Sequence, residues 1–496
     1  MKVEFIDTTL RDGSQSLWAS GMRSGMMTAV AEDLDKVGFK FVEIPTNSIF
    51  FKKITRDLKE DPWALMRTLA EKMPNTDTGS MSSNLNINSF GAPTPRVVGK
   101  LFYGLMGKMG ALRRSQMVAN TTDQIKTDFA ELAELFRPLG VKMAPAIAYT
   151  ISPRHTDEYF AQKTRECAAF RPDAIYIKDP GGLLTVDRIR TLAPAVVAAA
   201  GGIPVELHSH CTTGVAPQTY MEALDLGIPA LHTGIPPLAE GSAQPSVFQT
   251  ALNARSIGHE VDLDMDRLQS ISDRLMQFAR MDGMPIGQPM PYDRAQYEHQ
   301  IPGGVISNLR HQLKSIGLQD RLEEVIEESI RVRAEMGYPM MITPFSQYVC
   351  TQAALNVQTG ERYKVVVDEV ILFAMGRYGE DSGFQYMEEN LRDRLTGGQR
   401  AAELAAKTDD RRLKEMTLKE ARALYGGPDL SDEELCLRAI MQGTTGDIAA
   451  MRAAGPARRY DGADPALTRL LDRFSKSGSL RYLEIQKGNE VVRLER

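Results

Sequence analysis

The sequence predicts a (β/α)₈ TIM barrel followed by a mainly helical C-terminal domain. Roughly the first 255 residues alternate between short β-rich runs and longer helical patterns, which is typical of a parallel α/β fold. Eight such pairs in roughly 250 residues suit a closed barrel better than an open doubly wound sheet. No glycine-rich dinucleotide fingerprint or phosphate loop follows any of the predicted strands.

The eight predicted units follow one another along the chain. Runs rich in apolar and β-branched residues predict strands at residues 3–7, 39–44, 76–82, 112–118, 141–150, 174–178, 204–210 and 230–234. Apolar residues at helical spacing predict the partner helices at 24–37, 62–72, 95–109, 122–136, 156–170, 186–200, 216–226 and 246–255. Barrels of this class carry their active sites at the C-terminal ends of the strands, so candidate residues should follow those ends.

Beyond residue 256 the pattern becomes mainly helical. The periodicity predicts helices at 263–280, 318–336 and 361–378, with loops at 301–304 and 342–346. Residues 390–414, rich in charge and alanine, predict a solvated helix plus a linker, followed by a helix at 431–441 and a weak strand pair at 481–494. The chain therefore divides into a barrel domain (1–260), a helical domain (261–390) and a C-terminal extension (391–496).

Composition excludes several classes of protein. Hydrophobic residues make up 43% and charged residues 25% of the 496 residues, which suits two or three globular domains. A net charge of −5 argues against nucleic acid, and the longest apolar runs are too short for a membrane span. Four cysteines without paired spacing, and a start without a basic-then-apolar leader, predict a cytoplasmic protein.

Three predicted strand ends carry groups suited to one metal. His208 and His210 end strand seven and lie on the same face, where two imidazoles can bind a single divalent cation. Asp12 follows strand one and Lys178 ends strand six, so all four should meet at the barrel mouth. From these residues alone, the alternative that the two histidines occur together by chance and bind no metal stays open. His232, at the end of strand eight, suits the mouth or the core equally.

Lys178 is an unusual residue for a metal site. An ammonium group has no lone pair to give, but reaction of the amine with CO₂ produces an anionic carbamate with oxygen ligands. An ordinary ion pair between Lys178 and a carboxylate is the alternative.

Several segments together resemble one family. Residues 7–17, 177–184, 208–210, 298–304 with Asn308-Leu309, and 343–346 look like motifs of the carboxyltransferase domains of biotin-dependent enzymes. That family includes pyruvate carboxylase, the oxaloacetate decarboxylase alpha subunit and the metal-bearing subunit of transcarboxylase. The resemblance runs from about residue 3 to residue 378.

The resemblance implies a function and a set of site residues. It implies a homodimeric enzyme that moves CO₂ between carboxybiotin and the enolate of a keto-acid-like substrate, with a divalent metal (Zn, Mn or Co). The implied metal ligands are Asp12, Lys178 as N6-carboxylysine, His208 and His210. Arg11 and Gln15 would line the substrate pocket, and Thr343 would carry a proton between the substrate and biotin N1.

Two departures from the family bear on substrate and partners. The family has an arginine after strand three that binds the keto acid carboxylate. Here Ser83 stands at that place, or Asn84 if the alignment shifts by one, and no arginine occurs between Arg67 and Arg96. We therefore expect an acceptor other than pyruvate. The chain also shows no Ala-Met-Lys-Met-type tetrapeptide and no ATP-grasp half, so a separate biotin carboxyl carrier protein and biotin carboxylase subunit are expected.

Two other functions remain open. A biotin-independent, metal-dependent acyl-CoA lyase or synthase would share the Arg-Asp-Gly start and the His-x-His strand, although Lys178 and Thr343 argue against it. A non-catalytic scaffold would keep the fold without the ligands. The direction of reaction is open too. Cys211 is expected to pack in the core, and the role of Gln244 is undecided; His155, His259 and His311 are interpreted as surface residues.

Overall fold

Nine parallel strands build the barrel. The computed structural model describes residues 1–88, 92–119, 121–315, 317–342, 344–407, 411–460, 470, 474, 477, 481–487 and 490–495. The barrel strands are β1 (Lys2–Asp7), β2 (Phe41–Glu43), β3 (Asp77–Gly79), β4 (Met81–Ser82), β5 (Arg114–Val118), β6 (Lys142–Ala148), β7 (Ile175–Asp179), β8 (Val205–Ser209) and β9 (Ala230–Thr233). Their spatial order is β3-β2-β1-β9-β8-β7-β6-β5-β4, and β10 (Glu260–Val261) adds to β1.

The third predicted strand is present as two short pieces that together close the barrel. β3 pairs with β2, whereas β4 pairs with β5. The successive carbonyls of Gly79 and Ser80 accept hydrogen bonds from Ile44 and Gln116, which lie on opposite sides. The Arg113 N–H also donates to the Thr78 carbonyl at 2.8 Å. The sheet thus returns to itself, which confirms the TIM-like barrel.

The outer helices of the barrel follow the predicted order. They are α1 (Ser14–Trp18), α2 (Ser24–Leu34), α3 (Ser48–Lys53), α4 (Pro62–Lys72), α5 (Arg96–Met109), α6 (Thr122–Gln124), α7 (Ala130–Phe136), α8 (Asp157–Ala168), α9 (Val186–Ala200), α10 (Ala216–Asp225) and α11 (Val247–Ser256). Local chemistry defines their starts. The Asp61 side chain accepts hydrogen bonds from two free N–H groups in the first turn of α4. The Thr185 side chain accepts one from the first turn of α9.

The described residues after the barrel are mainly helical and end in a hairpin, both as predicted. Its helices are α12 (Met265–Asp282), α13 (Arg294–His299), α14 (Gly303–Ser315), α15 (Leu322–Glu335), α16 (Phe345–Thr359), α17 (Asp368–Ala374), α18 (Glu389–Thr396), α19 (Gln399–Lys407), α20 (Arg411–Glu415), α21 (Leu418–Tyr425), α22 (Asp432–Ile440) and α23 (Gly446–Ala453). The antiparallel strands β11 (Tyr482–Lys487) and β12 (Glu490–Glu495) form the hairpin.

One prediction for this region was wrong and another was incomplete. The helix expected at 361–378 is reduced to the short α17, because Gly360 ends α16 in a left-handed conformation and three consecutive valines precede Asp368. The described helices within 390–414 are largely exposed, but they also carry a buried apolar face that the prediction of a solvated helix left out. Leu391, Leu395 and Leu404 belong to a hydrophobic cluster that lies among α14–α19.

The chain packs into two main hydrophobic clusters. One lies between the barrel strands and the outer helices and also takes in apolar residues of α22 and α23; Leu435 and Ile448 are examples. The other lies among α14–α19. The division at residues 260 and 390 stays a prediction. Among the described residues, no helix combines the length and apolar character that a membrane crossing needs.

Candidate active site

The turn after β1 carries the first two site residues. Asp7, at the end of β1, accepts hydrogen bonds from the hydroxyl (2.5 Å) and the N–H (3.3 Å) of Thr9 and so fixes the turn. A Cβ on Gly13 would lie 2.6 Å from the carbonyl oxygen of Leu238, so only glycine allows this close approach to the loop after β9. The turn thereby places Arg11 and Asp12 in the barrel mouth, both buried.

The segment after β7 is locked against the end of β8. The Asp179 carboxylate accepts from the N–H groups of Leu183 and Leu184 (2.9 and 2.8 Å) and from the Ser209 hydroxyl (2.8 Å). Gly182 has a φ of +62°, and a Cβ there would lie 2.3 Å from the hydroxyl of Thr212. These contacts explain why the Lys-Asp-Pro-Gly-Gly segment has an aspartate after the lysine and a glycine at its last position. They hold Lys178 beside His208, its register partner on β8.

Three buried side chains converge at the mouth. His208 Nε2 lies 3.3 Å from His210 Nε2, and the Asp12 carboxylate oxygens lie 3.4 and 3.7 Å from these two nitrogens. Ligands that share one tetrahedral zinc at about 2.0–2.1 Å are separated by roughly 3.3 Å. The cluster of Asp12, His208 and His210 is therefore consistent with a divalent metal site.

Hydrogen bonds prepare both histidines for this role. His210 Nδ1 lies 2.6 Å from the Ser242 carbonyl, so Nδ1 carries the proton and Nε2 keeps its lone pair. The Gln244 amide nitrogen lies 3.2 and 3.1 Å from the two Nε2 atoms, and the Thr8 hydroxyl donates to Gln244 Oε1 at 2.7 Å. The structure thus places Gln244 directly against the cluster.

The charge state of the cluster also suits a cation. Burial raises the pKa of Asp12, but its surroundings, foremost the Arg11 charge, outweigh this effect and hold the pKa well below its usual range. Burial lowers the pKa of His208 well below its ordinary value, so its imidazole stays neutral. A carboxylate and a neutral imidazole are the forms that bind metals.

Lys178 is buried, with its Nζ 3.0 Å from the Met81 sulfur. Burial lowers its pKa to about 8, the Arg11 charge acts in the same direction, and the carboxylates of Asp12 and Glu43 partly oppose both. The neutral amine is therefore well populated just above neutral pH. That is the form that can react with CO₂, and an ordinary surface lysine rarely reaches it.

Arg11 combines a buried ion pair with an unpaired donor. Its Nη2 lies 3.0 Å from Asp12 Oδ2 and 2.5 Å from Glu43 Oε2, so two carboxylates balance its charge. Its Nε is buried and has no hydrogen-bond partner among the described residues. The hydrogen-bonding capacity of this N–H is therefore unused among the described residues.

The other sequence-predicted residues are only partly located. Gln15 is exposed on α1, and Ser83 is exposed just after β4. Strand alternation puts Ser83 on the same face as Met81, whose sulfur contacts Lys178. Thr343 lies outside the described residues. Its neighbour Ile342 packs with Ala148, at the end of β6.

A buried network beneath His208 was missed by the sequence analysis. His232 Nδ1 lies 3.1 Å from His208 Nδ1, and His232 Nε2 lies 3.2 Å from Glu206 Oε2. Arg114 lies 2.6 Å from the same Glu206 oxygen. Glu206, a carboxylate between Val205 and Leu207 and two residues before His208, was the available signal. Glu43, His208 and His232 also approach one another, but His232 Nε2 is already engaged by Glu206.

Two smaller expectations have opposite outcomes. His155 is buried rather than at the surface; its Nδ1 lies 2.6 Å from the Ser152 hydroxyl, and burial lowers its pKa to about 3. Cys211 is fully buried, as expected for a packing residue, and burial raises the pKa of its thiol.

Comparison with known proteins decides the family. Residues 2–275 match the family described as "HMGL-like", and residues 297–483 match the "Conserved carboxylase domain". The chain belongs to the carboxyltransferase family of biotin-dependent carboxylases. It is an enzyme of that family, and the resemblance in its motifs is confirmed. The conserved carboxylase domain favours the carboxyltransferase over the lyase hypothesis, which rested on the barrel, the Arg-Asp-Gly start and the His-x-His strand.

Individual relatives differ in substrate. The chain is 34% identical over 385 residues to a pyruvate carboxylase subunit of Methanocaldococcus jannaschii, covering 76% of this chain and 66% of that one. It is 30% identical over 462 residues to the 2-oxoglutarate carboxylase large subunit of Hydrogenobacter thermophilus, covering 92% and 69%. The carboxyltransferase thus spans about two thirds of the length of these relatives.

The fold is shared with a solved structure. The carboxyl transferase domain of Rhizobium etli pyruvate carboxylase superposes with a TM-score of 0.79 at 22% identity, covering 99% of this chain and 83% of that one. At this identity the likeness concerns the fold, and the substrate of the carboxyltransferase has to be argued from its own residues.

Proposed function

We propose that this carboxyltransferase moves CO₂ between carboxybiotin and the enolate of a small carbonyl acceptor, using a divalent cation (Zn, Mn or Co). The observation that carries the proposal is the convergence of Asp12, His208 and His210 beside the buried Lys178 at the barrel mouth. We assign Asp12, His208, His210 and Lys178, as its N6-carboxylated form, as the ligands. When bound, such a cation supplies Lewis-acid stabilisation of an enolate oxygen, worth several kcal/mol.

The protein's own groups have separate tasks in this scheme. The buried Nε–H of Arg11 donates a hydrogen bond to the acceptor, and Gln15 borders the pocket from α1. Thr343 transfers the proton between the acceptor and biotin N1, a positioned transfer that typically contributes about 10²–10⁴-fold. Ile342 and Met340, packed against the end of β6, support a place at the mouth for the segment that carries it.

The test of this function is direct transfer. Purified protein is mixed with a carboxylated biotin carrier bearing labelled CO₂, and label in the acceptor is measured with a panel of carbonyl compounds. Transfer that needs both the carrier and a divalent cation supports the proposal. Acyl-CoA cleavage without biotin would instead favour the lyase chemistry.

Metal binding should depend on CO₂ through Lys178. Because the pKa of Lys178 is lowered to about 8, the amine is protonated below that pH and carbamate formation grows as the pH rises through it. We expect metal affinity to increase with added bicarbonate, more strongly at pH 8.5 than at pH 6.5, and Lys178→Met to abolish the increase. Lys163→Met, a control at another buried lysine, should keep it. Bicarbonate-independent affinity in the native protein would contradict the carbamate.

The acceptor should carry less negative charge than pyruvate at the end that lies against Ser83. Ser83 offers a hydroxyl where the family has an arginine. Two carboxylates balance the charge of Arg11, so its free Nε–H is a hydrogen-bond donor without an uncompensated positive charge, and Arg23 is paired with Glu60 at 3.3 Å. We expect amides, thioesters or larger keto compounds to exceed pyruvate in kcat/KM. Ser83→Arg should raise kcat/KM for pyruvate, whereas Ser83→Ala should not. Pyruvate as the best acceptor of the native enzyme would overturn this assignment.

Biotin should reach the site on a separate carrier. The 496 residues contain no Ala-Met-Lys-Met-type acceptor tetrapeptide. We expect a streptavidin blot of this polypeptide to be negative after co-expression with a biotin ligase, and a known carrier protein in the same cells to be positive. We also propose a biotin carboxylase subunit as a further partner and a homodimeric assembly, which sedimentation would test. Biotin on this chain would refute the separate carrier.

A further inference from the structure

We propose that Glu206 and His232 form a buried relay that sets the tautomer and orientation of His208. The relay would thereby strengthen the hold of Asp12, His208 and His210 on a divalent cation. This inference rests on the metal site proposed above. It assigns a positioning role to two residues that do not themselves reach the metal.

The hydrogen-bond donors and acceptors leave one consistent arrangement. The Glu206 carboxylate only accepts, so His232 Nε2, 3.2 Å away, must carry a proton. A neutral imidazole has one ring proton, which leaves a lone pair on His232 Nδ1. His208 Nδ1, 3.1 Å from that atom, must then be the donor.

This arrangement frees the atom that a metal needs. With the proton of His208 on Nδ1, its Nε2 keeps a lone pair and points at His210 and Asp12. The opposite tautomer would put a proton between His208 and the cation. Loss of a hydrogen bond that fixes the tautomer of a metal-ligating histidine typically lowers metal affinity about 10–100-fold.

The surroundings hold the relay in place. Glu206 is fully buried, with Arg114 at 2.6 Å and Lys40 at 3.5 Å, so its charge is balanced without a proton on both nitrogens of His232. The His232 ring stacks on Tyr176 at 5.2 Å with a 20° angle between the planes. An aromatic side chain without nitrogen would fill the same space. The imidazole adds the hydrogen-bond link from Glu206 to His208.

The test compares two substitutions of His232. His232→Phe keeps the ring that stacks on Tyr176 but leaves the His208 Nδ1–H without an acceptor. His232→Gln can still accept from His208 and donate to Glu206. Zn²⁺ affinity is measured by competition with a chromophoric chelator, the Co²⁺-loaded absorption spectrum reports ligand geometry, and Tm reports stability.

We expect His232→Phe to weaken Zn²⁺ binding about 10–100-fold and to alter the Co²⁺ spectrum. His232→Gln should restore most of the affinity. The control His155→Phe changes another buried histidine away from the cluster and should bind Zn²⁺ like the native protein.

Two results would overturn the relay: native-like Zn²⁺ affinity in His232→Phe, or equal losses in both His232 variants that follow their losses in Tm. His210→Ala separates this failure from that of the metal site. If His210→Ala abolishes Zn²⁺ binding while His232→Phe does not weaken it, the relay alone fails. If His210→Ala binds Zn²⁺ like the native protein, the metal site itself is wrong and the relay falls with it.

Discussion

His210→Ala is expected to yield a folded, metal-poor protein with CO₂ transfer reduced by about 10³-fold or more. The variant removes one of the nitrogens that converge within 3.3–3.7 Å of the other ligand atoms. The several kcal/mol that a Lewis acid contributes to enolate stabilisation correspond to a loss of this size. Metal content by plasma mass spectrometry and single-turnover transfer from a carboxylated carrier measure both effects.

A substitution at another buried histidine serves as the control for a folding defect. His155 is also buried, but it bonds to Ser152 and packs against Tyr159, outside the cluster. His155→Ala should retain the metal and the transfer rate within the limits of its stability. A His210→Ala protein with full metal content and native turnover would remove His210 from the site and weaken the case for the whole cluster.

The barrel and its mouth were predictable from sequence because two strong rules act together. The βα alternation sets the fold, and the strand-end rule brings Asp12, Lys178 and the histidine pair together although they are up to about 200 residues apart. Glycine at positions 13 and 182 permits the close approaches that bring the loops together. The alternation, the strand ends and the glycines are all local features that can be recognised in the sequence.

The relay beneath His208 could not be predicted in the same way. Glu206 and His232 lie on different strands, and their pairing depends on the β8–β9 register and on side-chain direction inside the barrel. Nothing in either segment alone says which of the buried polar residues will meet. The sequence offered only that a carboxylate between two apolar residues of a strand needs a partner.

Errors in the helical region have a similar physical origin. Residues 361–378 have apolar residues at helical spacing, yet Gly360 and the run of valines stop the helix from forming before Asp368. Residues 390–414 are rich in charge, which hid the buried leucine face of α18 and α19. Amphipathic helices of this composition bury only one narrow stripe, which a composition-based prediction overlooks.

Described residues that precede Thr343 are held at the end of β6 by hydrogen bonds and packing. Arg333 donates to the Thr150 hydroxyl (3.1 Å) and the Ile151 carbonyl (3.0 Å), just beyond β6, and Gln300 accepts from the same Thr150 hydroxyl. Ile342 then packs against Ala148. These contacts connect the helical region to the mouth on both sides of α15. They support the proposed role of Thr343 in proton transfer.

Thr343→Ala is therefore expected to lower transfer between carrier and acceptor by about 10²–10⁴-fold, the usual value of a positioned proton transfer. Metal content and Tm should stay native, because none of the proposed ligands changes. Thr343→Ser keeps a hydroxyl and should recover much of the rate, while Thr351→Ala, at an exposed threonine on α16, should have no effect. The measurement is kcat for label transfer, with acceptor affinity determined separately, since a proton-transfer residue affects kcat more than binding. Near-native kcat in Thr343→Ala would reduce Thr343 to a structural loop residue and would require another group to move the proton.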